Sequence, residues 1–455
     1  MDAKLNYQIK QNRIINQLKT INQQGGTIAV SKHTSNLYRN RKQIKTEKLN
    51  FKDLNQVIQI DVVNCIAEVE AAVTYEDLVD ETLKYELIPA VVPQFTTITV
   101  GGGVSGGACE SGSFKYGATH ETVEEMTVLL SDGQIVTATR DNKYRDLFLS
   151  IPNTFGSLGY ILKLKIKLIL TLPFVKLQHI HFTKSDKYFA VIAEIMKTQK
   201  YDNESVDFLD GVIFNQKSLH LTVAQFVKEA PYTSNYKYMN VYYKSIAQKD
   251  TDYLTTHDYI WRWDADWAWG SREFGMQNKL LRLLLGKFML NSSSYWKMLN
   301  WERKYKFMNK INSVTNQLSE TIVQDADIPI NQSEKFLEFI LSYTTITPIW
   351  ICPLKSYQSV VYPFCPLDPN SLYINFGLWS SVKSNHNLAK NYYTRLLEKT
   401  IIKLHGYKPL YSESYYSEQE FWSIHDKKNY DLLKKKYDSQ NHLKNFYQKV
   451  CKETA

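Results

Sequence analysis

Apolar and charged positions alternate most strictly in ILKLKIKLIL, residues 161–170. Leu162, Leu164, Ile166 and Leu168 fall on one side of an extended backbone and Lys163, Lys165 and Lys167 on the other. That pattern predicts a strand with one buried and one solvated face. VIQID and CIAEVEAAV read as another pair of strands, and MTVLLSDGQIVTATR as a hairpin turning at Ser-Asp-Gly. Near the start, Leu5, Ile9, Ile14, Ile15, Leu18 and Ile21 recur at helical intervals until Gly25-Gly26 stops them. A short strand TIAV and the polar loop Ser31 to Asn36 follow. Thr74 with Asp77 three residues later predicts a capped start for the helix TYEDLVDETLKYEL, which Pro89 and Pro93 separate from what comes next.

From about residue 173 the pattern changes to longer, aromatic-rich and more mixed segments. The predicted organisation is a helical segment over 1–26, a strand-rich unit over 27–172 and a second unit over 173–455. Its C-terminal segment is expected to return toward the first unit's site. The fold class is α+β. A length of 455 residues exceeds one small core, which agrees with more than one unit.

Residues 100–123, VGGGVSGGACESGSFKYGATHETV, hold seven of the protein's 18 glycines. Gly101, Gly103 and Gly106 match the G-x-G-x-x-G spacing of a dinucleotide-binding turn, which must follow a strand and open a helix. Further glycines at 107, 112 and 117 argue against a regular helix opening there. An irregular run is expected instead, its backbone N–H groups free to cradle phosphate oxygens, with hydroxyls from Ser105, Ser111 and Ser113 beside them. A plain surface loop is the alternative.

Composition narrows the classes only moderately. Hydrophobic residues at 44% and charged residues at 22% are those of an ordinary globular protein, and 31 Tyr, 20 Phe and 9 Trp suit apolar cavities or interfaces. The net charge of +9 is spread along the sequence, and no nucleic-acid-binding motif accompanies it. No nucleic-acid partner is expected. Five cysteines without C-x-x-C pairs argue against a disulfide framework or a metal site. No signal-peptide pattern and no apolar run of about 18 residues occurs, so a cytoplasmic protein is expected, with peripheral membrane contact open. LLRLLLGKFMLNSSSYWKMLNW, residues 280–301, reads equally well as an interfacial helix or as a core helix with a basic end. WRWDADWAW, residues 261–269, reads as packing between units before a lipid pocket.

TVGGGVSGGACESGSFKYG resembles the second flavin-binding segment of vanillyl-alcohol-oxidase-type (PCMH-type) FAD-binding domains, and is most similar to that of the Δ24-sterol reductases. SDGQIVTATRDNKYRDLFLSIPNTFGSLGYI resembles the family's next segments. IVQDADIPI, TPIWICPL, LYINFGLW and HGYKPLYSESYYSEQEFW resemble later stretches in the same order. The membrane-anchoring segment of those enzymes has no counterpart in this sequence.

The resemblance implies an FAD-binding domain of two subdomains, a substrate (cap) domain and noncovalent FAD. It also implies NADPH as the reductant, acting on a C=C bond in the tail of a sterol or similar lipid. It places the flavin on Gly101, Gly102, Gly106, Glu110, Ser111, Ser113 and Tyr116, with Gly159 and Ile161 nearby. Lys32, Thr34 and Ser35 are the candidates for the pyrophosphate. His33 and Cys109 lie near covalent attachment points of more distant relatives and are expected to make ordinary contacts. An isolated alkene needs a protein acid beside the hydride donor. Tyr415 is the first choice, because a neutral phenol buries no charge; Glu420, Asp325 and His405 are the others. Lys355 and Arg395 are candidates for a nucleotide phosphate. Two rival readings stay open: an FAD-dependent oxidase or dehydrogenase of an alcohol or lipid-linked sugar, and a lipid-binding protein without redox activity.

Overall fold

The computed structural model describes residues 3–35, 38–39, 48–305, 318–384 and 388–451; Asn36 of the predicted loop lies outside them. The fold begins with helix α1 (Ala3–Gln23), then strands β1 (Ala29–Ser31), β2 (Lys48–Asn50), β3 (Val57–Asp61) and β4 (Ile66–Glu70). Helix α2 (Tyr75–Leu83), strand β5 (Leu87–Pro89), and helices α3 (Val100–Gly106) and α4 (Ser113–Tyr116) follow. The hairpin β6 (Val123–Leu129) and β7 (Ile135–Thr139), helix α5 (Arg145–Ser150) and the long strand β8 (Tyr160–Leu170) complete a first sheet. Its order is β3-β4-β8-β6-β7, with β5 pairing the end of β8.

β8 holds the centre of that sheet because it alternates as predicted. Leu162, Leu164, Ile166 and Leu168 are buried, while Lys163 and Lys165 reach across to Glu68 and Glu125 on neighbouring strands. Thr74 caps α2 by accepting a hydrogen bond from the Asp77 N–H at 3.1 Å. α2 stops at Leu83, earlier than the predicted segment, because the backbone turns at Glu86 with positive φ and continues as β5. α1 buries Tyr7, Ile14, Leu18 and Ile21 against Leu129, Tyr160 and Leu162, and pins its inner face with a buried ion pair from Lys10 to Glu70 at 2.8 Å. Leu5 and Ile9 face solvent.

The second sheet begins with β9 (Phe174–Phe182). Helix α6 (Ser185–Thr198), the short pair β10 (Lys200–Tyr201) and β11 (Glu204–Ser205), then β12 (Phe208–Asn215) and β13 (Ser218–Val227) follow. After α7 (Tyr242–Ser245) come β14 (Thr251–Thr255), α8 (Thr256–Ile260), α9 (Lys279–Leu285) and α10 (Ser292–Tyr305). Strand β15 (Leu318–Pro329), helix α11 (Ser333–Phe339), and strands β16 (Ile349–Lys355) and β17 (Leu372–Ser384) close the sheet in the order β14-β9-β13-β12-β16-β17-β15. Helices α12 (Tyr392–Lys403), α13 (Glu418–Ile424), α14 (Lys427–Tyr437) and α15 (Phe446–Val450) come last. Helices and antiparallel strands are thus mixed throughout, an α+β architecture.

The two faces of the second sheet differ in chemistry. One carries Ile322, Ala326, Ile328, Ile349, Ile351, Ile374, Phe376 and Leu378 into an apolar core shared with Tyr188, Ile192 and Ile195 of α6 and with α11 and α12. The period of two then sends Asp325, Asp327, Trp350, Cys352, Asn375 and Trp379 to the opposite face. α4 packs on β16 and sends Phe114 into the apolar core, bringing the first unit's glycine-rich segment to the second sheet.

Two buried polar links join the units. Arg262, just beyond α8, donates to Glu110 at 2.9 Å and to Asp210 of β12 at 2.7 Å. Glu121 accepts from the Ser356 hydroxyl and the Tyr357 N–H, both at 2.8 Å. The C-terminal segment adds a third seam: Lys434 donates to Ser157 O at 2.9 Å and Lys449 to Tyr160 Oη at 2.8 Å. Trp263 and Trp269 of WRWDADWAW are buried in the same shared core. Arg262→Met leaves two carboxylates buried without their cation, so it should cost about 3–5 kcal/mol of stability. The loss should shrink as pH falls and the Glu110 carboxyl, which burial already pushes up, takes up a proton, measured by denaturant unfolding at pH 5 and pH 8.

Candidate active site

The glycine-rich run corrects the sequence expectation. Residues 100–106 are helical, not irregular: Thr99 caps the helix by accepting from Gly102 N–H at 3.3 Å, and Gly107 ends it at φ +64°. Glycine costs about 1 kcal/mol per position in a helix relative to alanine. Close approach offsets that cost here. A Cβ on Gly101 would lie 2.8 Å from Ala71 O, and one on Gly103 would lie 3.0 Å from the Tyr75 ring. The helix therefore sits against β4 and α2 at a distance that only glycine allows. The dinucleotide-turn reading stays excluded, because the glycines occupy the helix itself and residues 107–112 form no helix after them.

Lys32 lies over the start of α3. Its Nζ donates to Thr99 Oγ1 at 3.1 Å, and a Cβ on Gly102 would come within 3.0 Å of it. Burial lowers its pKa to about 8, and no carboxylate of the described residues pairs with it. A desolvated ammonium beside backbone N–H groups, with the nearest Cβ deleted, fits a phosphate group. Thr34 and Ser35 follow in the same loop, half-buried, and His33 is exposed.

The other flavin candidates divide by what already holds them. Glu110 is buried, with one carboxylate oxygen on Arg262 and the other taking the Ser111 N–H and hydroxyl. Ser111 Oγ also lies 3.1 Å from Tyr259 Oη, and Ser113 Oγ accepts from the Glu110 N–H at 3.1 Å. These three residues shape the turn after α3 and join it to the second unit. Gly106 is half-buried near Phe155, and the Tyr116 ring lies within 5.8 Å of the Tyr357 ring. Gly159 admits the backbone past β6, since a Cβ there would lie 2.7 Å from Val128 Cγ1, and Ile161 is buried in the core. Cys109 is hydrogen-bonded to Cys352, which lowers its pKa, but burial and the nearby Asp327 and Asp325 leave it raised overall.

Cross-strand register builds the facing wall. Trp350, Gly377 and Asp325 lie in one row across β16, β17 and β15; Cys352, Asn375 and Asp327 lie in the next. Gly377 leaves room for the Trp379 ring, whose Cζ2 would be 3.1 Å from a Cβ there. Tyr411 Oη donates to Asp325 at 3.1 Å and accepts from Trp379 Nε1 at 3.1 Å. Asn375 Nδ2 donates to Asp327 at 2.7 Å. Burial pushes both carboxyls up to about 7, against the pull of these donors. Rings surround the Asp325 end: Trp350 stacks on Trp379 at 5.7 Å, and Tyr38 meets Tyr411, Trp267 and Trp296 at 6.0, 5.9 and 5.1 Å.

The wall and the glycine helix are connected directly. Tyr38, six residues after Lys32, pairs through its backbone with Tyr411 at 3.1 Å. From the other end of α3, Ser105 O accepts from Asn153 N–H, the Asn153 side chain reaches Tyr407, and Tyr407 pairs with Asp327. The glycine helix is thus tied through Asn153 and Tyr407 to the strand that carries Asp325 and Asp327.

The remaining acid candidates lie elsewhere. Tyr415 donates to Glu413, and burial and that carboxylate raise its pKa. Its backbone belongs to an ion-pair network in which Arg395 binds Glu398 and Glu420 at 2.9 and 2.8 Å, and Lys408 binds Glu398 at 3.0 Å. Glu420 also closes the capping box of α13 with Ser417. His405 is exposed at the end of α12 with φ +56°. Lys355 ends β16. Asp327, Asn375, Trp379, Tyr411 and Arg262 escaped the sequence reading. The spacing of two in IVQDADIPI, with Ile322, Ala326 and Ile328 between its polar positions, is the one local signal that pairs Asp325 with Asp327.

Comparison with known proteins covers the segment that carries Lys32 and the glycine helix. Residues 10–139 match the FAD binding domain family. The protein is 26% identical to the human Delta(24)-sterol reductase over 425 residues, covering 90% of its own length and 78% of that enzyme. It is 25% identical to the Arabidopsis thaliana Delta(24)-sterol reductase over 440 residues, 89% and 76% of the two lengths. A Caenorhabditis elegans Delta(24)-sterol reductase homolog is 22% identical over 460 residues, 95% and 83%. The class is therefore an FAD-binding oxidoreductase. Within it, the protein is similar to Delta(24)-sterol reductases over most of its length, as the resemblance in its motifs anticipated.

Lys32 gives a prediction that needs no substrate. Its lowered pKa means that the folded protein, free of flavin, carries a penalty below pH 8 that eases as pH rises toward the ordinary lysine range. Lys32→Met should therefore unfold at higher temperature than the wild type at pH 7, with the gap narrowing by pH 9, in thermal melts of flavin-free protein.

Proposed function

We propose that this protein saturates an isolated C=C bond in a sterol or similar lipid, with NADPH as the reductant, noncovalent FAD as the carrier and Asp325 as the proton donor. The observation that carries the proposal is a carboxyl with a pKa of about 7, enclosed by aromatic rings on a sheet face to which the glycine helix is tied through Asn153 and Tyr407. Lys32, with Thr34 and Ser35, would hold the pyrophosphate, and the missing Cβ of Gly102 would let it approach the start of α3.

When bound and reduced, FAD supplies the hydride. The protein's part is to orient the alkene, keep water out and hold a proton at the other carbon. Near neutral pH Asp325 keeps that proton because burial disfavours its charged form. As the proton leaves, Tyr411 stabilises the carboxylate by the hydrogen bond it already donates. Positive charge growing on the substrate meets the faces of Tyr and Trp rings. The balance is complete: one hydride and one proton saturate the bond, and NADPH becomes NADP⁺. Among the four acid candidates this selects Asp325 over Tyr415, whose hydroxyl serves Glu413. Peripheral contact through residues 280–301 belongs to the same reading, since a sterol-like substrate resides in bilayers.

The purified protein should show oxidised flavin absorbance that bleaches on anaerobic addition of NADPH. Desmosterol, or another lipid with an alkene near the end of its tail, should then restore the oxidised spectrum with formation of the saturated product. Absence of flavin absorbance contradicts the proposal. So does flavin that an alcohol reduces and that only oxygen reoxidises, which would establish the oxidase or dehydrogenase reading instead.

A further inference from the structure

The strongest feature outside the site is the face presented by α9 and the turn after it. Leu280, Leu283 and Leu284 are 66%, 62% and 75% exposed, and Met289 is 40% exposed. Positions i, i+3 and i+4 share one side of a helix, so the three leucines form a single apolar ridge. Phe288 extends it, 82% exposed. Exposed leucines scattered singly need no explanation, but a contiguous ridge of them does.

The ridge is held in this orientation by the opposite side of the same helix. Arg282 is fully buried; it pairs with Asp266 and donates to Met276 O at 2.8 Å. Asn278 caps the first turn by accepting from Leu280 N–H at 2.9 Å. Leu281 packs inward with Met276, Leu290 and Tyr295. A helix anchored through a buried arginine cannot roll its leucines inward without stripping that guanidinium of its partners. The exposed apolar face is therefore part of the folded state.

Charge indicates what covers it. Residues 274–301 contain Lys279, Arg282, Lys287 and Lys297 but no Asp or Glu. Lys279, next to Leu280 in the helix, and Lys297 are both exposed. An apolar ridge on a segment whose charges are all basic matches the interface of a bilayer bearing anionic headgroups. We infer that α9 and the turn after it dock this protein on anionic lipid bilayers, with the leucine ridge entering the acyl boundary and the lysines at the headgroups.

The inner side of the docking helix leads to the site. Tyr295, packed with Leu281, stacks on Trp267 at 6.0 Å, Trp267 meets Tyr38 at 5.9 Å, and Tyr38 meets Tyr411, which donates to Asp325. A row of rings thus runs from the membrane-facing element to the proposed acid. The use of that row as a lipid entry rests on the sterol-like substrate proposed above; docking itself does not.

Co-sedimentation of the holoprotein with vesicles separates the two. Wild type should pellet with phosphatidylcholine–phosphatidylserine vesicles and bind about tenfold less to phosphatidylcholine alone or in high salt. The double variant Leu283→Glu, Leu284→Glu should lose at least about tenfold of the binding while keeping its flavin spectrum and melting temperature. Val63→Glu, at an exposed valine in the β3–β4 turn, should bind as wild type. Wild type that ignores both vesicles, or a double variant that still binds, overturns the docking. So does a dimer in size-exclusion chromatography that the double variant abolishes without any vesicle binding, which would assign the ridge to a second copy of the protein. Vesicle binding without reduction of any lipid alkene would leave the docking standing and remove the sterol-like substrate.

Discussion

Everything about this site depends on one guanidinium buried between carboxylates from two sheets. Arg262 binds Glu110, at the end of the glycine-rich segment, and Asp210, on the second sheet. Without its cation neither carboxylate could be buried ionised at acceptable cost. With it, the turn after α3 is drawn onto the polar face of the second sheet. That contact ties the turn after the glycine helix to the sheet whose polar face carries Asp325. Glu121 and the C-terminal lysines repeat the device around the rim. The seam between units thus carries specific polar links beside an apolar core that both units share.

A second constraint is dryness. Asp325 and Asp327 hold pKa values near 7 because desolvation disfavours their charged forms, and Tyr411, Trp379 and Asn375 keep it from raising those values further. The rings around Asp325 provide a wall suited to an apolar substrate. Lys32 answers to the same physics with the opposite sign: burial favours its neutral form, and a bound anion would restore its charge.

Local pattern made the strands legible. Alternation in β8, the Ser-Asp-Gly hairpin and the Thr74 cap are short-range consequences of side-chain period and backbone hydrogen bonding, and they stand in the structure as read. The helical glycine run was not legible, because propensity counts what glycine lacks. The close contact with Ala71 and Tyr75 comes from residues about 30 positions earlier. The acid wall was legible only in part. Asp325 was among the candidates, but its row with Gly377 and Trp350 depends on strand register across long intervening loops. Arg262 lies 152 positions from Glu110 and 52 from Asp210, beyond the reach of any motif. Tyr415 and Glu420 sat in family-like segments, yet the structure commits them to an ion-pair network and a helix cap.

The central claim is that Asp325 delivers the proton opposite the bound flavin. The most direct measurement is the pH dependence of alkene-driven reoxidation in anaerobic stopped flow, using protein already reduced by NADPH. The rate should fall as pH rises through about 7, where Asp325 loses its proton. Asp325→Asn should be at least about a hundredfold slower with no such pH step, while its reduction by NADPH stays near wild type. A variant that keeps both the rate and the pH step would contradict the account.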